Sequence, residues 1–320
     1  GRGFAVKILW DELKPGIDPL GPDNKLLVVL GPIAGVPMPN SGKTVVATKS
    51  PLTGTYADGN IGSHITIQLR KAGYDLMIFE GKAAEPEYVL VEDDKVSFMP
   101  AKDLWGKGTF ASQKVLEERY GKTAGILSIG QAGENKGLYA VVRSMEGRSG
   151  GRPGIGAVMG SKNLKAIVVK GTKDIPTADP KEMKARGIGD LKKVGDMDKK
   201  SKWSVQGTNA VLAWCNEMAA LPVRNHRHSQ HKDAWKLDGE RTSEARVATY
   251  GCPHCTMRCG IAIRDKEGHE SEIDYENVGM LGPNLEIFDL KQMASRNYMC
   301  DDFGMDTIST GGTLSWYADA

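Results

Sequence analysis

Six short apolar runs, each closed off by turn-forming residues, occupy the first 173 positions and set the main limit on the fold. They cover 26–30, 44–48, 76–80, 88–91, 126–129 and 166–169. Runs of four or five residues rich in Val and Ile, broken by Gly, Pro and Asp, read as strands and are too short for helices. The run 88–91 and Val96-Ser97-Phe98 flank Asp93-Asp94, the pattern of a hairpin. Two helices are expected among the strands, over about 61–72 and 110–120; in the second, Val115, Leu116 and Arg119 have helical spacing. Much of the chain's glycine, 39 residues in all, lies before position 175. Such density suits tight turns and close backbone approach, including approach to a ligand.

The texture changes at 174–180, Asp-Ile-Pro-Thr-Ala-Asp-Pro, which reads as a linker. Asp179 is placed to cap a helix with Pro180 at its first position. Helices are expected over 181–194, 208–219 and 289–301. Eight Lys/Arg against four Asp/Glu between 181 and 202 read as a solvated helical face. The fold class is therefore α+β, with a β-rich domain over 1–173 and a mainly helical one over 174–320. A chain of 320 residues has room for about two domains. A net charge of +2 gives no reason to expect nucleic acid. No apolar run approaches the roughly 18 residues of a membrane span, and no signal peptide opens the chain, so a cytoplasmic location is expected. The chain opens at Gly1-Arg2-Gly3-Phe4 without Met and closes just after Gly311-Gly312-Thr313-Leu314, and it is read as a fragment.

Cys252, Cys255 and Cys259 form C-x2-C-x3-C. Thiolates separated by three and four residues, with short turns between them, can wrap one corner of an iron–sulfur cluster. Without secretory marks, such spacing points to metal or redox chemistry before disulfides. A zinc knuckle, which would recruit His254 or a second cysteine pair, and inert thiols remain as alternatives. Cys300 is a candidate fourth ligand by position; Cys215 reads as a small buried residue.

Three weaker patterns carry less. Ser41-Gly42-Lys43-Thr44 lacks the glycine of a phosphate loop at Pro37, and the residues after it are β-branched. The glycines of 152–160 are one residue too widely spaced for a dinucleotide fingerprint, although Arg152 and Lys162 beside glycine amides would suit phosphate. His226, His228 and His231, interleaved with Arg224 and Arg227, read as a polar surface loop.

Taken in order, several stretches resemble the tungsten-containing aldehyde:ferredoxin oxidoreductase family. They are 1–4 with 20–26, then 47–54 (Ala-Thr-Lys-Ser-Pro-Leu-Thr-Gly), 71–75, 130–135 (Gly-Gln-Ala-Gly-Glu-Asn) and 156–167. Leu221-Pro222-Val223-Arg224-Asn225, the cysteine cluster, Tyr275-Glu276 and 301–306 (Asp-Asp-Phe-Gly-Met-Asp) complete the series. The resemblance covers nearly the whole chain. It implies an N-terminal domain of two β-sheets under a tungsten bis-pyranopterin, with molybdenum left open as the metal, and Mg2+ bridging the pterin phosphates. It also implies a [4Fe–4S] cluster on Cys252, Cys255 and Cys259, whose fourth cysteine belongs to a further motif beyond residue 320; this argues against Cys300.

By the same resemblance, Asp301, Gly304 and Asp306 form the first pterin-binding motif. Carboxylates there accept from pterin N–H groups. A helix end capped by Gly304 is the plainer explanation of the same residues. Asn60, Ile61, Gly62 and Ser63 match one cofactor loop, although Ser63 stands where the family more often has glycine. Arg152, Gly154 and Gly156, with Gly151, match a second, where Pro153 removes a backbone donor. Lys43 matches a basic residue near the cofactor phosphates. Glu276 matches a glutamate beside the metal, suited to general acid–base work. The implied activity is oxidation of small aldehydes to acids, with ferredoxin or another electron-transfer protein as partner, in a homodimer or a complex with electron-transfer subunits. Glyceraldehyde-3-phosphate oxidation, benzoyl-CoA reduction and a non-catalytic iron–sulfur module remain alternatives.

Overall fold

The computed structural model describes residues 1–145, 147–198 and 202–320. The chain forms two compact units. The first comprises Gly1–Leu191, Cys252–Cys255 and Asp302–Met305; the second comprises Lys192–Gly251, Thr256–Asp301 and Asp306–Ala320.

The first unit contains two sheets. Strands β1 (Leu26–Leu30), β2 (Lys43–Lys49), β3 (Tyr56–Gly62) and β4 (Leu76–Phe79) form an antiparallel sheet in the order β3-β2-β1-β4. Strands β5 (Glu87–Glu92), β6 (Lys95–Pro100), β7 (Gly125–Ser128), β8 (Val142–Ser144), β9 (Arg148–Gly150) and β10 (Leu164–Lys170) form the second, ordered β6-β5-β10-β7-β8-β9, in which only β5 and β10 pair in parallel.

Alternation along each strand builds separate cores among the described residues. Leu26, Val28 and Leu30 meet Val89, Val91, Ile167 and Val169 in a core shared by the two sheets. Leu27, Val29, Val45 and Ala47 turn the other way, onto Ala5 and Leu9 of the helix Arg2–Glu12. Tyr88, Leu90, Ile126 and Val168 pack on Leu116 of the helix Thr109–Tyr120. Strands covered on both faces have to be apolar without interruption, which is why they stand out as continuous runs. Each buried Leu, Val or Ile contributes about 1.5–3 kcal/mol relative to exposure.

One expected boundary is corrected. The helix placed at about 61 begins at His64, because β3 runs on to Gly62 and extended Ser63 accepts the Ile65 N–H as an N-cap. The helix Pro180–Asp198 starts as expected, with the Asp179 carboxylate accepting from Glu182 N at 2.9 Å.

In the second unit, β11 (Arg246–Tyr250), β12 (Gly260–Arg264) and β13 (Glu270–Ile273) form a three-stranded antiparallel sheet. The expected helix over 208–219 is divided into a 3-10 turn, Gly207–Val211, and a short α-helix, Leu212–Glu217. That over 289–301 runs Leu290–Phe303. The helices Tyr275–Leu281 and Thr307–Asp319 pack closely, and a Cβ on Gly311 would meet the Met280 carbonyl at 2.5 Å. The fold class is α+β. No described helix is long and apolar enough to cross a membrane.

Candidate functional site

Cys252 and Cys255 belong to the first unit. The Cys255 N–H donates to the Cys252 carbonyl at 3.0 Å, so the C-x2-C segment is a closed turn, with His254 in the left-handed region at φ 58°. The turn rests on the loop that precedes β2. Asn40 N donates to the His254 carbonyl at 3.0 Å, and Ser41 Oγ lies 2.9 Å from His254 Nδ1. A Cβ on Gly42 would stand 2.2 Å from the Pro253 carbonyl oxygen, and one on Gly62, at the end of β3, would stand 2.1 Å from Cys252 Sγ. Burial holds the His254 imidazole below its ordinary pKa, against the pull of a hydrogen bond to the Val36 backbone and with His64 adding to the effect. Cys259 lies in the second unit, just before β12; it, Cys252 and Cys255 are half-buried, and none of the five cysteines is in a disulfide.

The residues expected to touch the cofactor divide by what their side chains already do. Lys43 pairs with Gly62 across β2 and β3. Lys43 and Asn60 are exposed and line one cleft of about 280 Å3, together with Arg2, Asn40 and Ser41. Ile61 is wholly buried in the shared core, where its side chain serves packing. The Ser63 hydroxyl is engaged by Ile65 N at 3.1 Å and by Ser144 Oγ at 2.7 Å. β3 also lies against β9: a Cβ on Gly59 would meet Gly151 N at 2.2 Å.

Arg152 is exposed on the second glycine-rich loop. Gly154 and Gly156 have a packing reason to be bare, since Cβ atoms there would meet the carbonyls of Leu138 and Val141 at 2.4 and 2.5 Å. Lys162 is not placed to hold phosphate. Its ammonium is buried and donates to the carbonyls of Asn24 at 2.5 Å, Gly81 at 2.9 Å and Pro22 at 3.3 Å. Burial pushes its pKa down to about 8, against the pull of Glu80 and Asp23.

The segment 302–305 also belongs to the first unit. Gly304 follows the last residue of the helix Leu290–Phe303 at φ 73°, so it does serve as a helix-end glycine. Its carbonyl accepts from Val141 N at 2.9 Å, and Met305 bridges to Ala140. The Asp302 carboxylate accepts from Phe110 N at 3.3 Å, at the start of Thr109–Tyr120, and Gly130 lies so close that a Cβ would stand 2.4 Å from the Phe303 carbonyl oxygen. Sequence reasoning did not single out Asp302; its position beside Asp301 in the motif was the available signal.

In the second unit, Asp301 is buried and accepts from Asn297 Nδ2 at 3.2 Å. Asp306 is buried and caps Thr307–Asp319 through Ser309 N at 2.8 Å. Glu276 is exposed in the first turn of Tyr275–Leu281. The three histidines stay in a loop: His228 bridges Val223, and His231 stacks on Phe288 at 4.0 Å. Cys215 and Cys300 are buried.

This donor set suits the implied groups. Soft thiols with no disulfide partner suit iron–sulfur chemistry. A cleft carrying Lys43 and Asn60 offers positive charge and an amide to a phosphate-bearing heterocycle.

Residues 1–171 match the family model described as aldehyde ferredoxin oxidoreductase, N-terminal domain, and residues 190–320 match the model of domains 2 and 3 of the same family. The chain is 38% identical over 318 residues to the tungsten-containing aldehyde ferredoxin oxidoreductase of Pyrococcus furiosus, covering 98% of this chain and 53% of that protein. It is 40% identical over 324 residues to that of Pyrococcus horikoshii, covering 98% and 52%. Among solved structures, the active-site complex BamBC of benzoyl coenzyme A reductase, bound to 1,5-dienoyl-CoA, matches with a TM-score of 0.82 at 27% identity, covering all of this chain and 51% of that one. The chain thus spans about half the length of the curated relatives it matches.

Proposed function

The chain belongs to the aldehyde ferredoxin oxidoreductase family, and we propose that it carries cofactor-binding residues of an enzyme that oxidises aldehydes to carboxylic acids and reduces ferredoxin. The relatives named above are tungsten-containing, which supports a tungsten–pterin group here. In this reading residues 1–173 are the cofactor-binding domain and 174–320 begin the helical part, in a cytoplasmic protein that works with ferredoxin or partner electron-transfer subunits.

The supporting observation is that β3, which carries Asn60 and Gly62, meets the thiol of Cys252. In this reading one element would reach both proposed redox groups.

When bound, the tungsten–pterin group supplies two-electron chemistry and a [4Fe–4S] cluster passes single electrons onward. The chain's own residues bind and orient. Lys43 and Arg152 would offer positive charge to the pterin phosphates, whose oxygens would be the ligands of any Mg2+. Asn60 and the backbone of Ile61, Gly62 and Ser63 hold one side of the group, and the loop through Gly154 and Gly156 holds another. Asp301, Gly304 and Asp306 offer acceptors and a bare backbone to pterin N–H groups. Cys252, Cys255 and Cys259 ligate the cluster. Glu276 holds and returns a proton at the substrate oxygen.

Metal analysis of the intact protein, with aldehyde-dependent dye reduction, tests the reading; a protein without tungsten, pterin or iron would end it. The likeness to the benzoyl coenzyme A reductase complex favours a second reading, reduction of an aromatic thioester. Activity with benzoyl-CoA and none with aldehydes would select it.

A further inference from the structure

Resting on the cluster reading above, we infer that Ser41 is a positioning residue for the first two cluster cysteines, acting through a hydrogen bond to His254 in the turn between them. The proton count fixes the sense of the bond. Ser41 is buried, and its hydroxyl carries one proton. The Val36 carbonyl, 2.5 Å from Oγ, can only accept. Ser41 therefore donates to Val36 and accepts from His254, so Nδ1 carries the imidazole proton across the 2.9 Å contact. His254 is held as one tautomer, and Nδ1 is withdrawn from metal binding.

The turn needs such a hold. His254 sits at φ 58°, a conformation that a non-glycine residue adopts at a cost of about 1 kcal/mol or more. Three restraints from one loop oppose its relaxation: the Ser41 hydroxyl, the Asn40 N–H on the His254 carbonyl, and bare Gly42 beneath Pro253. The next residue, Lys43, opens β2 and pairs with Gly62, whose Cα side faces Cys252 Sγ. The loop thus ties the thiol pair to the strand pair that carries Lys43 and Asn60. Ser41 sets where the sulfurs lie relative to the proposed cofactor contacts, and its hydroxyl is engaged by Val36 and His254.

The test compares wild type, Ser41→Ala and Ser41→Thr in the intact protein with its metals assembled. Iron release to bipyridyl and the electron paramagnetic resonance spectrum of the reduced cluster are the readouts. Ser41→Ala should release iron about fivefold faster, the factor equivalent to one hydrogen bond of about 1 kcal/mol, and should alter the spectrum at unchanged tungsten content. Ser41→Thr keeps the hydroxyl and should stay within about twofold of wild type on the same scale. Should Ser41→Ala not fold, His254→Phe removes the donor from the other side and should give the same faster release. Wild-type release rate and spectrum in the folded variant overturn the role of Ser41 while leaving the cluster reading intact. A wild-type protein with no iron–sulfur signal overturns both.

Discussion

The α-carbon of Gly62 lies so near the sulfur of Cys252 that a Cβ on it would stand 2.1 Å from Sγ. No side chain fits between them. β3 ends in glycine because a neighbour distant in sequence occupies the space where a Cβ would be. Gly62→Ala should therefore displace the thiol and leave the strand, whose Ile61 stays anchored in the shared core. The expected result is loss of most cluster iron, on the order of tenfold, with the far-ultraviolet circular dichroism of wild type. Full iron content in a folded Gly62→Ala protein would show that Cys252 is not held as described.

Gly130→Ala probes the seat of the segment 302–305. The added Cβ would meet the Phe303 carbonyl oxygen at 2.4 Å, and a backbone atom cannot rotate away as a side-chain tip can. The segment must shift, which strains the bond from Val141 N to Gly304 O and the cap from Phe110 N to Asp302. A loss of about 2–3 kcal/mol in denaturant midpoint analysis is expected, in the range of overpacked cores. Gly16→Ala provides the contrast. Gly16, unlike Gly130, is at positive φ, but no atom lies within 4 Å of its Cβ position, so only backbone strain of about 1 kcal/mol applies.

What the sequence made legible follows from how each element is packed. β1, β2, β5 and β10 are covered on both faces, so burial wrote itself into them as unbroken apolar runs. β3 reads Tyr-Ala-Asp-Gly-Asn-Ile-Gly, and its glycines answer to Gly151 and Cys252, contacts that local periodicity cannot carry. That is why a helix was expected to start at 61. The division of 207–217 into a 3-10 turn and a short helix was equally hidden, since Gly207 takes φ 62° against Ile261 and Cys259 from elsewhere in the chain. At the site, the cysteine spacing was visible as chemistry. The Ser41–His254 pair was not, because the two residues are joined only by the fold.

Lys162 gives a pH prediction. Its pKa of about 8 in the folded chain lies below the ordinary 10.5, because burial outweighs the nearby acids. Between these values the unfolded chain holds the proton and the folded chain releases it. The linked contribution to stability therefore rises with pH from about 8 to about 10.5 and is flat below. Wild type and Lys162→Met, measured by urea midpoint across that window, should diverge with this slope, wild type gaining stability as pH rises. A difference independent of pH would mean that the three carbonyl acceptors keep the ammonium fully charged. At neutral pH the Met variant leaves those carbonyls without their donor and should lose about 2–4 kcal/mol.

Glu276 is the proposed proton-handling group, and its place in the fold allows a clean substitution. It is exposed in the first turn of Tyr275–Leu281, while Val278, Gly279, Met280 and Leu281 of the same helix are buried and anchor it. Glu276→Gln keeps the shape and removes the titratable proton, so stability should change by less than about 0.5 kcal/mol. General acid–base catalysis typically contributes a factor of about 10²–10⁴. Aldehyde-dependent dye reduction should fall by roughly 100-fold or more at unchanged tungsten and iron content. Turnover equal to wild type at full metal loading would remove Glu276 from the reaction and leave it as an acidic residue favoured near a helix N-terminus.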